Sequence, residues 1–236
     1  DDVQYLWLPL AHVFGKMLEV SVIALGTPTA VDGRLPKISD NLAEIRPTFM
    51  AVTPRVLEKV YNRVIQEARR AGPAKYTLFK WAVRVGRSVS KTRQGGAEPK
   101  GISLLQYRLA DALVFTKVRE IFGGRMRYLI SGSAPLNRHI AEFFHGAGLT
   151  VLEGYGLTES SAASFVNRPA QNKFGTVGPP MPGTELRLAG DGEILIKSRG
   201  VMRGYLHLPE ETESSLQDGW LHTGDIGEFD PDGHLR

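Results

Sequence analysis

The chain has 236 residues, no cysteine, and 29 Lys+Arg against 25 Asp+Glu. Without cysteine there is no disulfide framework, thiolate nucleophile or thiolate metal ligand, which fits a reducing cytoplasm. No run of 18 apolar residues marks a membrane span, and no signal-peptide pattern is visible. The charge is uneven. Residues 55–127 hold 17 Lys+Arg against 5 Asp+Glu, so that segment is strongly basic and the remainder is acidic. Such a segment can face a polyphosphate, an anionic lipid or nucleic acid, or be a solvated helical surface. No aromatic-rich recognition motif accompanies it, so nucleic acid is not an expected partner.

Taken in chain order, Tyr5-Leu6-Trp7-Leu8-Pro9-Leu10 predicts a buried strand and turn, and Ala11–Leu25 is apolar enough for a buried helix. Ser39 is placed to cap a short helix ending before Pro47, and Thr48–Val52 predicts a strand. Pro54 opens a long amphipathic helix ended by Gly72-Pro73. A second helix is predicted at about 75–92 and a third at about 103–122, separated by the Gly/Pro-bearing loop 95–101. The pattern then alternates: strand Met126–Ile130, helix Asn137–Gly146, strand Thr150–Glu153. This predicts an α/β fold, a mostly parallel sheet flanked by helices, over residues 1–174. From about Gly175 the texture becomes β-rich. Candidate strands at Glu185–Leu188, Gly192–Lys197 and Leu221–Thr223 predict a small barrel or distorted sheet over 175–236.

Three segments carry chemistry. Ser131-Gly132-Ser133-Ala134-Pro135 joins a strand to a helix, where open α/β sheets admit ligands; alone it is more often a plain turn with a Ser or Asn cap. Glu153-Gly154-Tyr155-Gly156-Leu157-Thr158-Glu159 offers a ring to stack a base, backbone that can approach a phosphate, a hydroxyl donor and a carboxylate for Mg²⁺. His222-Thr223-Gly224-Asp225 ends a strand with a carboxylate able to accept from two ribose hydroxyls. A fourth segment, Pro9-Leu10-Ala11-His12-Val13-Phe14-Gly15, places one histidine at a helix start, where such a residue is more often merely packed.

In this order and spacing the segments resemble the adenylate-forming superfamily of acyl-CoA synthetases, luciferases and peptide-synthetase adenylation domains. The resemblance spans nearly the whole chain. It implies that Ser133, Ala134 and Pro135 line the adenine, with Glu153, Gly154 and Gly156 framing the same pocket. Tyr155 is implied to stack on the base, Thr158 to contact the α-phosphate, and Asp225 to bind the ribose. It further implies that Glu159 holds Mg²⁺ and that His12 sits between the acyl pocket and the phosphates. Catalysis would fall to Thr158, Glu159 and His12.

Residues 6–18 contain no Asp or Glu to pair with an amino acid's ammonium, and a buried ammonium without one would be costly. The long basic helical stretch is similar to the insertion of long-chain fatty acid:CoA ligases. The implied substrates are a fatty acid, ATP and CoA, with Mg²⁺. The implied setting is cytoplasmic, with reversible contact to an anionic membrane, and a homodimer stays open. Aryl or medium-chain acyl-CoA ligases, acyl-AMP ligases and a nucleotide-binding module without catalysis are the alternatives. The family's Ser/Thr/Gly-rich phosphate loop, and its C-terminal domain with a catalytic Lys, are not in these residues. The chain therefore reads as a piece of a longer protein, inactive by itself.

Overall fold

The computed structural model describes residues 2–236. Six strands form one sheet: β1 (Gln4–Leu6), β2 (Thr29–Val31), β3 (Phe49–Val52), β4 (Tyr128–Ser131), β5 (Thr150–Tyr155) and β6 (Phe165–Val166). Their order is β2-β1-β3-β4-β5-β6, with every pairing parallel except the antiparallel β5–β6. Parallel strands need crossover connections, and the helical patterns between them supply these. The β3–β4 register pairs Val52 with Ser131, and the β4–β5 register pairs Ser131 with Glu153. The carboxyl ends of the three central strands therefore lie side by side.

The helices are α1 (Val13–Leu25), α2 (Ile38–Ile45), α3 (Pro54–Arg70), α4 (Pro73–Gln94), α5 (Gly101–Ala110), α6 (Thr116–Glu120) and α7 (Arg138–Gly146). A shorter α8 (Pro209–Ser215) belongs to the β-rich part. The main core gathers Tyr5, Met50, Leu57, Leu129 and Val151 with Phe115, Phe143 and Phe144. Its densest contact is between α4 and α7. A Cβ on Gly146 would lie 2.7 Å from the Gly86 backbone, so two helix backbones meet where neither residue has a side chain.

Three expectations change. α1 is not a buried helix: Leu18 and Val22 are buried, whereas Ile23 and Leu25 are 75% and 78% exposed. Its inner face packs against Leu6 and Ala51 of the sheet, and its outer face leaves Val20, Ile23 and Leu25 exposed. Ser39 does not cap α2; it lies inside the helix, which begins one residue earlier, directly after a 3₁₀ turn at Leu35–Lys37. The third long helix is not continuous, because a π turn at Asp111–Phe115 separates α5 from α6. Within that turn Asp111 pairs with Arg119, and Thr116 Oγ1 donates to the Asp111 carbonyl, so the irregularity is held by side chains.

The β-rich part is an antiparallel sheet of β7 (Glu185–Leu188), β8 (Glu193–Lys197), β9 (Leu216–Gln217) and β10 (Trp220–Ile226), in the order β7-β8-β10-β9. It is an open sheet, the distorted-sheet alternative rather than a closed barrel. Its core, Ile194, Ile196, Leu221 and Leu235, includes Phe165 of β6, and Tyr155 and Leu157 pack against it.

Candidate nucleotide site

The site forms where β4 and β5 end. After Ser131 the chain turns through Gly132, and Ser133 takes a left-handed φ of 71°. That conformation is uncommon outside glycine and is often found at functional turns. Ser133, Ala134 and Pro135 are exposed, Leu136 is buried, and Asn137 caps α7 by accepting from the His139 amide at 2.9 Å. The motif is thus both a capped strand-to-helix turn and an open ledge.

Glu153 fixes that ledge from behind. It is only 7% exposed, and its carboxylate accepts from the Leu136 amide at 3.3 Å and from the Gly175 amide at 3.2 Å. Burial raises its pKa, partly offset by these two bonds. Both oxygens serve the loops that frame the pocket.

Tyr155, at the end of β5, donates its hydroxyl to Asp225 Oδ2 at 2.7 Å. Burial, then the Asp225 carboxylate, pushes the phenol above its ordinary range, so it remains a neutral donor. This bond joins the base-stacking and ribose candidates across the junction of the two sheets. Asp225 is exposed on β10. Its approach is set by Glu193, which accepts from the Gly224 amide at 2.9 Å and bonds His222 Nδ1 at 2.9 Å. Thr223 Oγ1 accepts from the Asp225 amide and donates to the Ile194 carbonyl. One Asp225 oxygen is taken by Tyr155, yet a carboxylate offers about four acceptor positions, so ribose hydroxyls can still be bound.

Beyond Tyr155 the chain passes Gly156, where a Cβ would fall 1.5 Å from the Ala162 carbonyl. Only glycine fits there. The close approach lets a 3₁₀ turn at Thr158–Ser160 fold back, secured by the Leu157 amide donating to Ser160 Oγ at 3.0 Å. Thr158 is exposed at the start of the turn and Glu159 is half-buried. The Glu159 backbone carbonyl accepts from the Met202 amide at 2.7 Å, and its Oε1 accepts from the Tyr205 hydroxyl at 2.8 Å. Tyr205, and Glu193 behind His222, are the site residues that sequence reasoning missed. Nothing in local spacing signals either, since each meets its partner only across the fold.

His12 occupies the N-cap of α1, its Nδ1 accepting from the Phe14 amide at 3.2 Å. That bond leaves Nε2 as the ring's donor in the neutral form. The same segment reaches the pocket through Phe14, whose ring lies 3.4 Å from where a Gly132 Cβ would stand. Gly132 in turn faces the Gly154 carbonyl. The structure therefore brings all four sequence segments to one edge of the main sheet.

A family model described as "AMP-binding enzyme" matches residues 1–206. The chain belongs to the AMP-binding enzyme family. Among its curated relatives is the long-chain-fatty-acid–CoA ligase FadD15 of Mycobacterium bovis, 37% identical over 98% of this chain and 38% of that protein. Long chain acyl-CoA synthetase 4 of Arabidopsis thaliana is 36% identical over 100% of this chain and 37% of that protein. The chain thus spans less than two fifths of the length of these relatives. Among solved structures, the N-terminal domain of FACL13 from Mycobacterium tuberculosis covers 99% of this chain at a TM-score of 0.69 and 22% identity, matching over 50% of its own length. The o-succinylbenzoate CoA synthetase of Bacillus subtilis in complex with AMP gives a TM-score of 0.65 at 21% identity, over 99% of this chain and 40% of that one. These likenesses agree with a mostly parallel sheet flanked by helices and followed by a small β-rich sheet.

Proposed function

We propose that this chain holds the nucleotide pocket of a long-chain fatty acid:CoA ligase, with the α/β part over 1–174 and the β-rich part over 175–236. The observation that carries the reading is the convergence of Ser133–Pro135, Tyr155, Thr158, Glu159 and Asp225 at one sheet edge, with Tyr155 bonded to Asp225. The relatives named above supply the substrate class. The absence of Asp and Glu from residues 6–18 favours an acyl over an aminoacyl substrate.

In the proposed reaction a fatty carboxylate attacks the α-phosphate of ATP, pyrophosphate leaves, and the thiol of CoA then displaces AMP from the acyl-adenylate. Tyr155 would stack on adenine and Asp225 would fix the ribose, which orients the α-phosphate over the Thr158 turn. Thr158 would donate to that phosphate. His12, with its donor at Nε2, would meet the carboxylate or phosphate oxygens from the acyl side.

Glu159 fits Mg²⁺ only in one mode. Among the described residues no three His, Cys, Asp or Glu side chains converge, so there is no all-protein cage. A single carboxylate shared with substrate phosphates and water is, however, the usual way Mg²⁺ is held. Bound there, the ion would neutralise charge growing on the phosphates. Tyr205 would orient the carboxylate that holds it.

The proposed setting is cytoplasmic, with reversible contact to an anionic membrane; no described helix is long and apolar enough to cross one. The test is fatty-acid-dependent ATP–pyrophosphate exchange in the full-length protein, followed by thioester formation with CoA. Exchange with a long-chain acid and thioester formation are expected. Exchange driven by amino acids or aryl acids but not by long-chain acids would overturn the substrate class, and exchange without thioester would point to an acyl-AMP ligase.

A further inference from the structure

The two long helices of the basic segment enclose a groove of about 610 Å³ that takes no part in the nucleotide site. Lys80, Arg84, Arg87 and Lys91 recur along one side of α4, and Arg69 of α3 faces them. No carboxylate lines the groove, and none of the five cations forms an ion pair among the described residues. Lys80 with Arg84, and Arg87 with Lys91, are like-charge pairs at i,i+4, an arrangement that works against the helix. Arg63, by contrast, lies outside the groove and is neutralised by Glu67 at 2.8 Å.

The groove is also shaped. Tyr76 has Arg69 5.3 Å and Lys80 5.0 Å from its ring centroid, which steadies two of the cations. Arg87 is half-buried. Its Nε is sealed from solvent without a hydrogen-bond partner, and its Nη2 reaches only the Tyr61 hydroxyl at 3.5 Å. A guanidinium set in this way lacks the acceptors its charge requires. Ile65, Phe79 and Val83 supply apolar lining between the cations.

We infer that the α3–α4 groove is a second anion site that recognises a phosphate ester, separate from the nucleotide pocket. Clustered cations with apolar lining suit a phosphate carried on a small organic body, and a concave wall of one charge sign concentrates such an anion. The phosphate can arrive as a soluble ester or as a lipid headgroup.

Calorimetric titration with glycerol 3-phosphate at low salt, beside flotation with phosphatidylcholine vesicles with and without phosphatidic acid, separates the two sources. Saturating AMP should leave the affinity unchanged. Lys80→Gln and Arg84→Gln, both at exposed positions, should each weaken binding roughly tenfold. Arg63→Gln and Arg70→Gln, which remove the same charge outside the groove, should change it less than twofold. Binding of the soluble ester supports the site as stated. Vesicle binding alone, lost in the groove variants and kept in the controls, supports it with the lipid headgroup as the source. No binding of either probe, equal losses in groove and control variants, or displacement by AMP would overturn it.

Discussion

Glu159 sits with one carboxylate oxygen against the Tyr205 phenol, so its position is set by a residue from a different loop. On the proposed function, removing the hydroxyl by Tyr205→Phe should lower the adenylation rate of the full-length protein roughly tenfold, the scale of one hydrogen bond to a charged group, with little change in nucleotide affinity. Glu159→Ala should cost more rate still, whereas Asp225→Ala should chiefly weaken ATP binding, because the ribose does not react. Steady-state kinetics beside equilibrium binding of an AMP analogue would separate these effects, and equal small losses from all three would remove the assignments. At the opposite end of the pocket's supporting loops, Lys173 and two backbone amides hold Asp230 at a pKa of about 2, below the ordinary 3.8. A depressed carboxylate contributes stability above its unfolded pKa and loses it as pH falls toward the folded one. The contribution should be complete above about pH 4 and vanish toward about pH 2. Lys173→Gln should therefore lower stability at pH 7, and the gap between variant and parent, read by urea unfolding followed by circular dichroism, should close as pH falls from about 4 toward about 2.

Among the elements, α4 and α7 show how much depends on the residues that are absent. Gly146→Ala would push a methyl into the Gly86 backbone at 2.7 Å, and overpacking of this kind costs about 1–3 kcal/mol. Thermal unfolding should register the loss, and a Tm equal to the parent's would mean that the two helices can part freely. The helix pattern itself was legible because Val56, Leu57, Val60, Tyr61 and Val64 recur at helical spacing, and Pro54 and Gly72 mark the ends. The strands around the site were legible from short apolar runs between turn signals. The π turn was not, because Asp111–Phe115 keeps the same apolar spacing as its neighbours and the extra residue is held by an ion pair eight residues along. The exposure of α1 was not legible either. Apolar content marks what a helix can bury, not which of its faces finds a neighbour. The motif segments were readable as pieces, yet Tyr205 and Glu193 became visible only once the loops were assembled in space.

At the scale of the whole molecule, the two sheets are joined by Phe165, which lies in the β-rich core while belonging to a strand of the α/β sheet, and by the Tyr155–Asp225 bond. The pocket is thus built at a seam, and its parts hold together only if the seam does. Glu153 is a further, buried fastener. Glu153→Gln would set an amide nitrogen against the buried Leu136 N–H or the partly exposed Gly175 N–H and should destabilise the protein by about 1–3 kcal/mol; an unchanged unfolding midpoint in urea would contradict the geometry. The shared acceptor also has a dynamic consequence. The amides of Leu136 and Gly175 come from loops far apart in the chain, yet both end on one carboxylate. Neither can open to solvent by a local fluctuation without disturbing the acceptor of the other. In hydrogen–deuterium exchange the two protons should therefore be released at a common rate, as one cooperative unit that frames the Ser133–Pro135 ledge and the seam together.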